Sequence, residues 1–361
     1  MSRIIALYLP QYHPIPENNE WWGPGFTEWV SVATARPLFR GHNQPHIPAD
    51  LGFYDLRMPE IREAQASLAK EAGIEGFCYW HYWFGNGKQL LERPFKEVVD
   101  SGKPDFPFCL SWANHSWYKK RWAADKGEDQ LLMEQTYPGT QDHIDHFYTF
   151  LKAFKDKRYI KVDGKLFFLI YLPLEIPDVK HFILLWRKLA KENGLNDFYF
   201  VGQQYCGKDS EKILEMGFDA IQNRSLLNIH DQMSLFTKAM KRLLPIVKVS
   251  IRYKYSQAMK YFHSELDTEI NRMPALYSGW DHTPRSLHKG TVLTGFNPPI
   301  FYKHAMATLN LVKDKPKEYQ LVLLSSWNEW GEGNYMEPDR EFGKGYIYAL
   351  RKAIDDFENK K

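Results

Sequence analysis

Leu321-Val322-Leu323-Leu324-Ser325-Ser326-Trp327-Asn328-Glu329-Trp330-Gly331-Glu332-Gly333 begins as a short apolar run and ends as a polar, aromatic loop. The run 321–326 reads as a buried strand. Two carboxylates, Glu329 and Glu332, therefore leave the end of a strand three residues apart. Trp327 and Trp330 flank them, and Gly331 and Gly333 let the backbone bend sharply. Paired acids beside aromatic rings suit glycosidic-bond chemistry, in which one acid moves a proton while the other stays charged. The plainer alternative is a strand-end turn with a solvated Glu pair, which would use two tryptophans poorly.

Seven similar apolar runs precede this one, at 3–9, 74–80, 106–112, 165–172, 198–203, 220–223 and 275–277. Helical patterns separate them at 59–72, 144–154, 181–193 and 210–216, and one more closes the chain at 342–358. Residues 10–55, rich in Pro, Gly, Trp and Asn, read as one long loop. Strands alternating with helices predict a parallel α/β fold, and eight of them predict a closed (β/α)8 TIM barrel. An open doubly wound sheet would more often carry a glycine-rich phosphate loop, and no G-x-G-x-x-G or P-loop occurs. The expected organisation is a single domain over 1–361 with a basic helical insertion at 224–270, between strands six and seven. Within it, 232–264 holds no acidic residue but includes Lys238, Lys241, Arg242, Lys248, Arg252, Lys254 and Lys260. A solvated basic face on a helix pair accounts for this; peripheral contact with anionic lipid or a lipid-linked glycan is the sharper reading.

Bulk composition agrees with an ordinary globular protein: 361 residues, 44% hydrophobic, 25% charged. A net charge of +3 is too mild to argue for nucleic acid. Three distant cysteines, Cys78, Cys109 and Cys206, read as reduced core residues. With no signal peptide or membrane-length apolar run, a cytoplasmic location is expected. His143 and His146 are spaced i, i+3 but lack supporting ligands, so no metal and no cofactor is expected.

Barrel active sites form where strands end. Polar and aromatic residues recur there: Tyr8, Tyr12 and His13 after strand one; Trp80, His81 and Tyr82 at strand two; Trp112 and Asn114 at strand three. Gln203, Asn223 and Trp280 follow at strands five, six and seven, and Trp327 and Asn328 at strand eight. Glu28 and Trp29 come from the long first loop, where a packed aromatic lid is an equal reading. These are the candidate substrate-binding residues, with Glu329 and Glu332 as the candidate catalytic pair. Amides and imidazoles can bond sugar hydroxyls, and indole rings offer flat surfaces.

The runs Ala6-Leu7-Tyr8-Leu9-Pro10-Gln11-Tyr12-His13, Gly25-Phe26-Thr27-Glu28-Trp29, Gly76-Phe77-Cys78-Tyr79-Trp80-His81-Tyr82-Trp83, Trp112-Ala113-Asn114 and Trp327-Asn328-Glu329-Trp330-Gly331-Glu332-Gly333 resemble the WbsX-like family of polysaccharide gene clusters, often labelled glycosyltransferase. The chain is also similar, more distantly, to family 99 glycoside hydrolases, which are (β/α)8 endo-α-mannosidases. That resemblance implies a retaining mechanism through a 1,2-anhydro sugar. Glu329 would be the base toward the sugar 2-hydroxyl, and Glu332 the acid/base at the leaving oxygen. Gly331 departs from it, standing where a larger residue can occur in the hydrolases. Three functions follow as expectations. The first is a glycoside hydrolase or transglycosidase acting on a bacterial surface polysaccharide (O-antigen or capsule type) or its precursor. The second is a glycosyltransferase of lipopolysaccharide or O-antigen biosynthesis, against which the missing D-x-D run weighs. The third is a non-catalytic glycan-binding barrel.

Overall fold

The apolar runs pair edge to edge into a ring of parallel strands. The structure is a computed structural model that describes residues 2–119, 129–204, 209–223, 229 and 249–359. Strand β1 (Arg3–Tyr8) pairs with β2 (Gly76–Trp83) on one edge and with β8 (Leu321–Ser325) on the other. From β2 the sheet continues through β3 (Phe108–Trp112), β4 (Lys165–Ile170), β5 (Phe198–Gln204) and β6 (Ala220–Asn223). Strand β7 comes in two pieces, Arg272–Met273 and Ala275–Tyr277, either side of Pro274. The first piece pairs with β6 and the second with β8, so the ring closes across the proline. Pro274 has no N–H for the ladder, but its carbonyl accepts from Leu323 N at 3.0 Å. This is the expected α/β barrel, with all eight strands where the apolar runs predicted them.

Helices clothe the ring. Helix α3 (Pro59–Ala72) opens on proline and stops at Gly73, whose φ of 83° is the left-handed conformation glycine takes without strain. Helices α5 (Thr140–Phe154) and α6 (Val179–Glu192) pack together, and α10 (Gly345–Glu358) packs against α3 and α9 (Pro298–Val312). The stretch 10–55 is not one loop: it holds α1 (Pro16–Trp22) and α2 (Glu28–Thr34). Cys78 and Cys109 are register partners on β2 and β3 and remain free buried thiols; Cys206 lies outside the described residues.

Side chains alternate between the ring interior and the helix layer along each strand. Leu7, Trp80, Tyr82, Gln203, Gln222, Tyr277, Leu323 and Ser325 reach a cleft at the C-terminal mouth. Their neighbours point the other way. Tyr8 donates to Gln65 Oε1 of α3 at 2.6 Å, and His81 Nε2 lies 3.0 Å from His146 Nε2 of α5.

Of the insertion, 224–228 and 230–248 fall outside the described residues, including Lys238, Lys241, Arg242 and Lys248. The described part is less helical than expected. Ile251–Lys254 pairs in parallel with Thr291–Thr294, followed by the short helix Tyr255–Ala258. Tyr255, Ala258, Phe262 and Leu293 bury against Ala275 and Tyr277 of β7. No described helix is long and apolar enough to cross a membrane.

Gly76 marks a close approach of β2 and β3, since a Cβ there would lie 2.4 Å from Pro107 O and 2.8 Å from Ile160 Cδ1. Gly76→Ala should lower the unfolding free energy by about 1–3 kcal/mol, as overpacking does; an unchanged midpoint in urea would show that the two strands can separate at no cost.

Candidate active site

The loop after β8 folds back as a hairpin. Asn328–Glu329 pairs antiparallel with Asn334–Tyr335, and Trp330–Glu332 forms a helical turn closed by Gly333 at φ 57°. Its anchors are buried. Asn328 clamps β1 through its amide, with Leu9 N to Oδ1 at 2.7 Å and Nδ2 to Leu9 O at 3.0 Å. Tyr12 donates its hydroxyl to Asn328 O and receives Trp330 N at 3.2 Å. The Trp330 ring stacks on Tyr335 at 3.7 Å and packs on Trp29. With the tryptophans tucked into the core, Glu329 and Glu332 face a cleft of about 910 Å³.

Arg285 meets them there from the short helix α8 (Thr283–Ser286). Its Nη1 donates to Glu332 Oε1 at 2.5 Å, and its Nε to Glu28 Oε1 at 2.7 Å. Glu329 Oε1 is 3.6 Å from Nη1, and its Oε2 accepts from Ser326 Oγ at 2.9 Å. His282 Nε2 lies 3.5 Å from Glu332 Oε1. One guanidinium thus faces three carboxylates. Burial works against its charge, but Glu28, Glu332 and Glu329 outweigh that and keep Arg285 cationic. Glu329 has the weakest claim on the cation. Burial and then the charge of Glu332 push its carboxyl up to about 7. Gly331 makes the arrangement possible, because a Cβ there would fall 1.6 Å from Glu28 Oε1 and 2.9 Å from Arg285 Nε.

Two further buried acids hold the loops. Asp281 accepts from His42 Nε2 and Gln44 Nε2, each at 2.7 Å, and from Thr283 Oγ1 at 2.6 Å, while its N donates to Glu332 O at 2.6 Å. Burial opposes its charge, yet the bonds from His42, Thr283 and Gln44 hold its carboxyl below the usual range. Glu337 accepts from Trp330 Nε1 and Gln65 Nε2 at 2.7 Å and from Tyr54 at 2.9 Å; burial still pushes it up to about 7.

Of the expected substrate-binding residues, Glu28, Trp80, Tyr82, Gln203 and Trp280 line the cleft with the glutamate pair. The others lie elsewhere. Tyr8, His81 and Trp112 have the wrong strand parity: Trp112 packs on Phe182 of α6, and the buried His81 imidazole is pushed down to about 3. Asn223 gives its amide to Asp267 at 3.1 Å. His13 is buried with Nδ1 3.1 Å from Pro10 O, and Asn114 bonds the backbone of Leu172. Tyr12, Trp29, Trp327 and Asn328 are scaffold beneath the hairpin, Trp29 donating to Tyr54 O at 2.7 Å. Besides Arg285, the cleft includes His115, Tyr171, Gln222, Tyr253 and His282, none of them among the expected binding residues. The side-chain oxygens of Gln203 and Gln222 are buried and have no bonding partner among the described residues. Among the described residues no group of His, Cys, Asp and Glu could hold a metal ion.

A closed ring of eight parallel strands clothed by helices is a (β/α)8 barrel. It is similar to the GH99 endo-alpha-mannosidase from Bacteroides thetaiotaomicron, with a TM-score of 0.57 and 15% identity, covering 99% of this chain and 97% of that one. It is also similar to a protein described as glycoside hydrolase-like, with a TM-score of 0.57 and 16% identity over 98% of this chain and 93% of that one. Within that class the chain belongs to the WbsX family, whose profile, described as Glycosyltransferase WbsX, matches residues 4–350. It is 33% identical over 358 residues to WxcX, an uncharacterized protein of Xanthomonas campestris pv. campestris strain B100, and equally to that of strain ATCC 33913. The match covers 98% of this chain but 50% of each relative, so the chain spans about half their length.

Glu337 supplies a stability test. A carboxyl raised in the fold from 4.5 to about 7 holds its proton more tightly folded than unfolded, so stability falls as pH rises across that window and levels off above it. Glu337→Gln keeps an acceptor oxygen and should flatten the slope by about 1 kcal/mol per pH unit. Identical slopes for wild type and variant in urea unfolding would place the ionisation elsewhere.

Proposed function

We propose that the protein is a retaining glycoside hydrolase or transglycosidase acting on a bacterial surface polysaccharide or its precursor. The observation that carries this reading is the carboxylate pair at the end of β8, with Glu329 pushed up to about 7 and Glu332 bound to Arg285 in a ring-lined cleft. A base poised near neutrality is what withdrawal of a sugar hydroxyl proton requires, and Glu329 takes that role. Glu332 serves as acid/base at the leaving oxygen. Glu28, on the Nε edge of the same guanidinium, helps hold Arg285 beside it. Apolar ring faces along the cleft and the amide side chains of Gln203 and Gln222 in its lining suit a saccharide.

Glycosyl transfer is the second reading, favoured by the family's description. The two part on products. With oligosaccharides and sugar nucleotides offered in parallel, new reducing ends support hydrolysis, and nucleotide release supports transfer. Glu332→Gln should lower turnover at least ~100-fold while glycan affinity persists; full turnover by that variant removes Glu332 from the chemistry. As the base, Glu329 must lose its proton, so wild-type turnover should climb as pH rises through about 7. A fall over that range would make Glu329 the acid instead.

Peripheral contact with anionic lipid or a lipid-linked glycan is proposed for the insertion, where Arg252, Lys254 and Lys260 are exposed. Co-sedimentation with anionic but not zwitterionic liposomes is expected, and equal recovery with both would end the idea.

A further inference from the structure

Part of the cleft wall is aromatic and comes from two segments far apart in sequence. Trp22, the last residue of α1, stacks on Phe26 with ring centroids 5.6 Å apart. The second segment is Trp117–Lys119, which pairs with Gln130–Met133 after β3 and brings Trp117 and Tyr118 to the same cleft. Lys119 ties the segments together. Its Nζ donates to Trp21 O at 2.7 Å and lies 5.1 Å from the Trp22 ring centroid. Trp21 meets Trp117 edge-on at 6.1 Å, and Trp117 meets Tyr82 edge-on at 5.0 Å. Tyr82 in turn stands close enough to Glu329 for that charge, after burial, to help push its phenol upward. The ring surface therefore runs from the carboxylates outward along the β1–β3 side.

Its outer rings are open. Trp22 is 41% exposed and Tyr118 47%. Scattered exposed aromatics need no explanation, but several lining one cleft mouth form a patch that a partner of matching shape can cover. Lysine over an indole face fixes the ring without offering a partner for a cationic ligand. We propose that Trp22, Phe26, Trp117 and Tyr118 form a second sugar subsite, which takes the apolar C–H face of a neutral pyranose residue at least one unit removed from the bond acted on. The subsite rests on the carbohydrate reading above and adds that the substrate is a chain, recognised by its length on the β1–β3 side.

Binding in the Glu332→Gln background tests this. The probes are a disaccharide and a hexasaccharide cut from whichever polysaccharide of a panel the protein retains in affinity electrophoresis. Trp22→Ala and Tyr118→Ala should each weaken the hexasaccharide by about 2- to 10-fold, the range of a single aromatic contact, and shift the disaccharide by less than that. Both positions are exposed, so an unchanged melting temperature should verify that the fold persists. Equal losses for the two lengths, or none, would overturn the subsite and leave the carbohydrate reading standing. Retention of no polysaccharide at all would sink both.

Discussion

One half-buried guanidinium organises the mouth of this barrel. Glu28 arrives on the loop after β1, Arg285 on the loop after β7, and Glu329 and Glu332 on the loop after β8. Three carboxylates gathered without a cation would repel one another, and each would pay heavily in lost hydration. Arg285 offsets part of that cost and shares it unevenly. Glu332 and Glu28 receive short bonds, whereas Glu329 stands off at 3.6 Å and takes a neutral hydroxyl instead. Two chemically identical side chains so close together thus meet different surroundings, and Glu329, the one farther from the cation, is pushed up to about 7.

The wider shell follows the same logic. Asp281 stays charged because His42, Gln44 and Thr283 all donate to it, and through it the loop after β7 grips the backbone of Glu332. Leu38 N donates to His42 Nδ1, which leaves Nε2 as the protonated nitrogen and fixes the tautomer. Glu337 has three side-chain donors as well, yet there desolvation wins. Burial and the donors around each carboxyl, rather than residue type, decide which way Asp281 and Glu337 shift.

The fold was legible because a buried strand announces itself by apolarity, at length in runs such as 165–172 and only briefly at 220–223 and 275–277. Helix α9 was not among the expected helices: Asn297 caps it through Ile300 N at 3.0 Å, but its apolar character runs on without an obvious face. The site was legible only in part. The glutamate pair stood out because tryptophans frame it. The other candidates were chosen by type at strand ends, and type cannot say which way a side chain points. A period of two separates Trp80 and Tyr82 from His81, Leu7 from Tyr8, and Ala113 from Trp112, and it would have removed three of the misplaced residues. Arg285 carried no such mark. It is a lone cation four residues beyond Asp281, and only the packing of three loops makes it central.

The absent side chain at position 331 carries meaning for comparison between barrels. A Cβ there would coincide with the Glu28 carboxylate, so the hydrogen atom of Gly331 is the socket into which a third acid plugs. Any homologue with a bulkier residue between its two glutamates must leave that socket filled and its first-loop acid displaced. The residue type at one position is thereby tied to whether a third acid can stand beside the pair, without reference to any substrate.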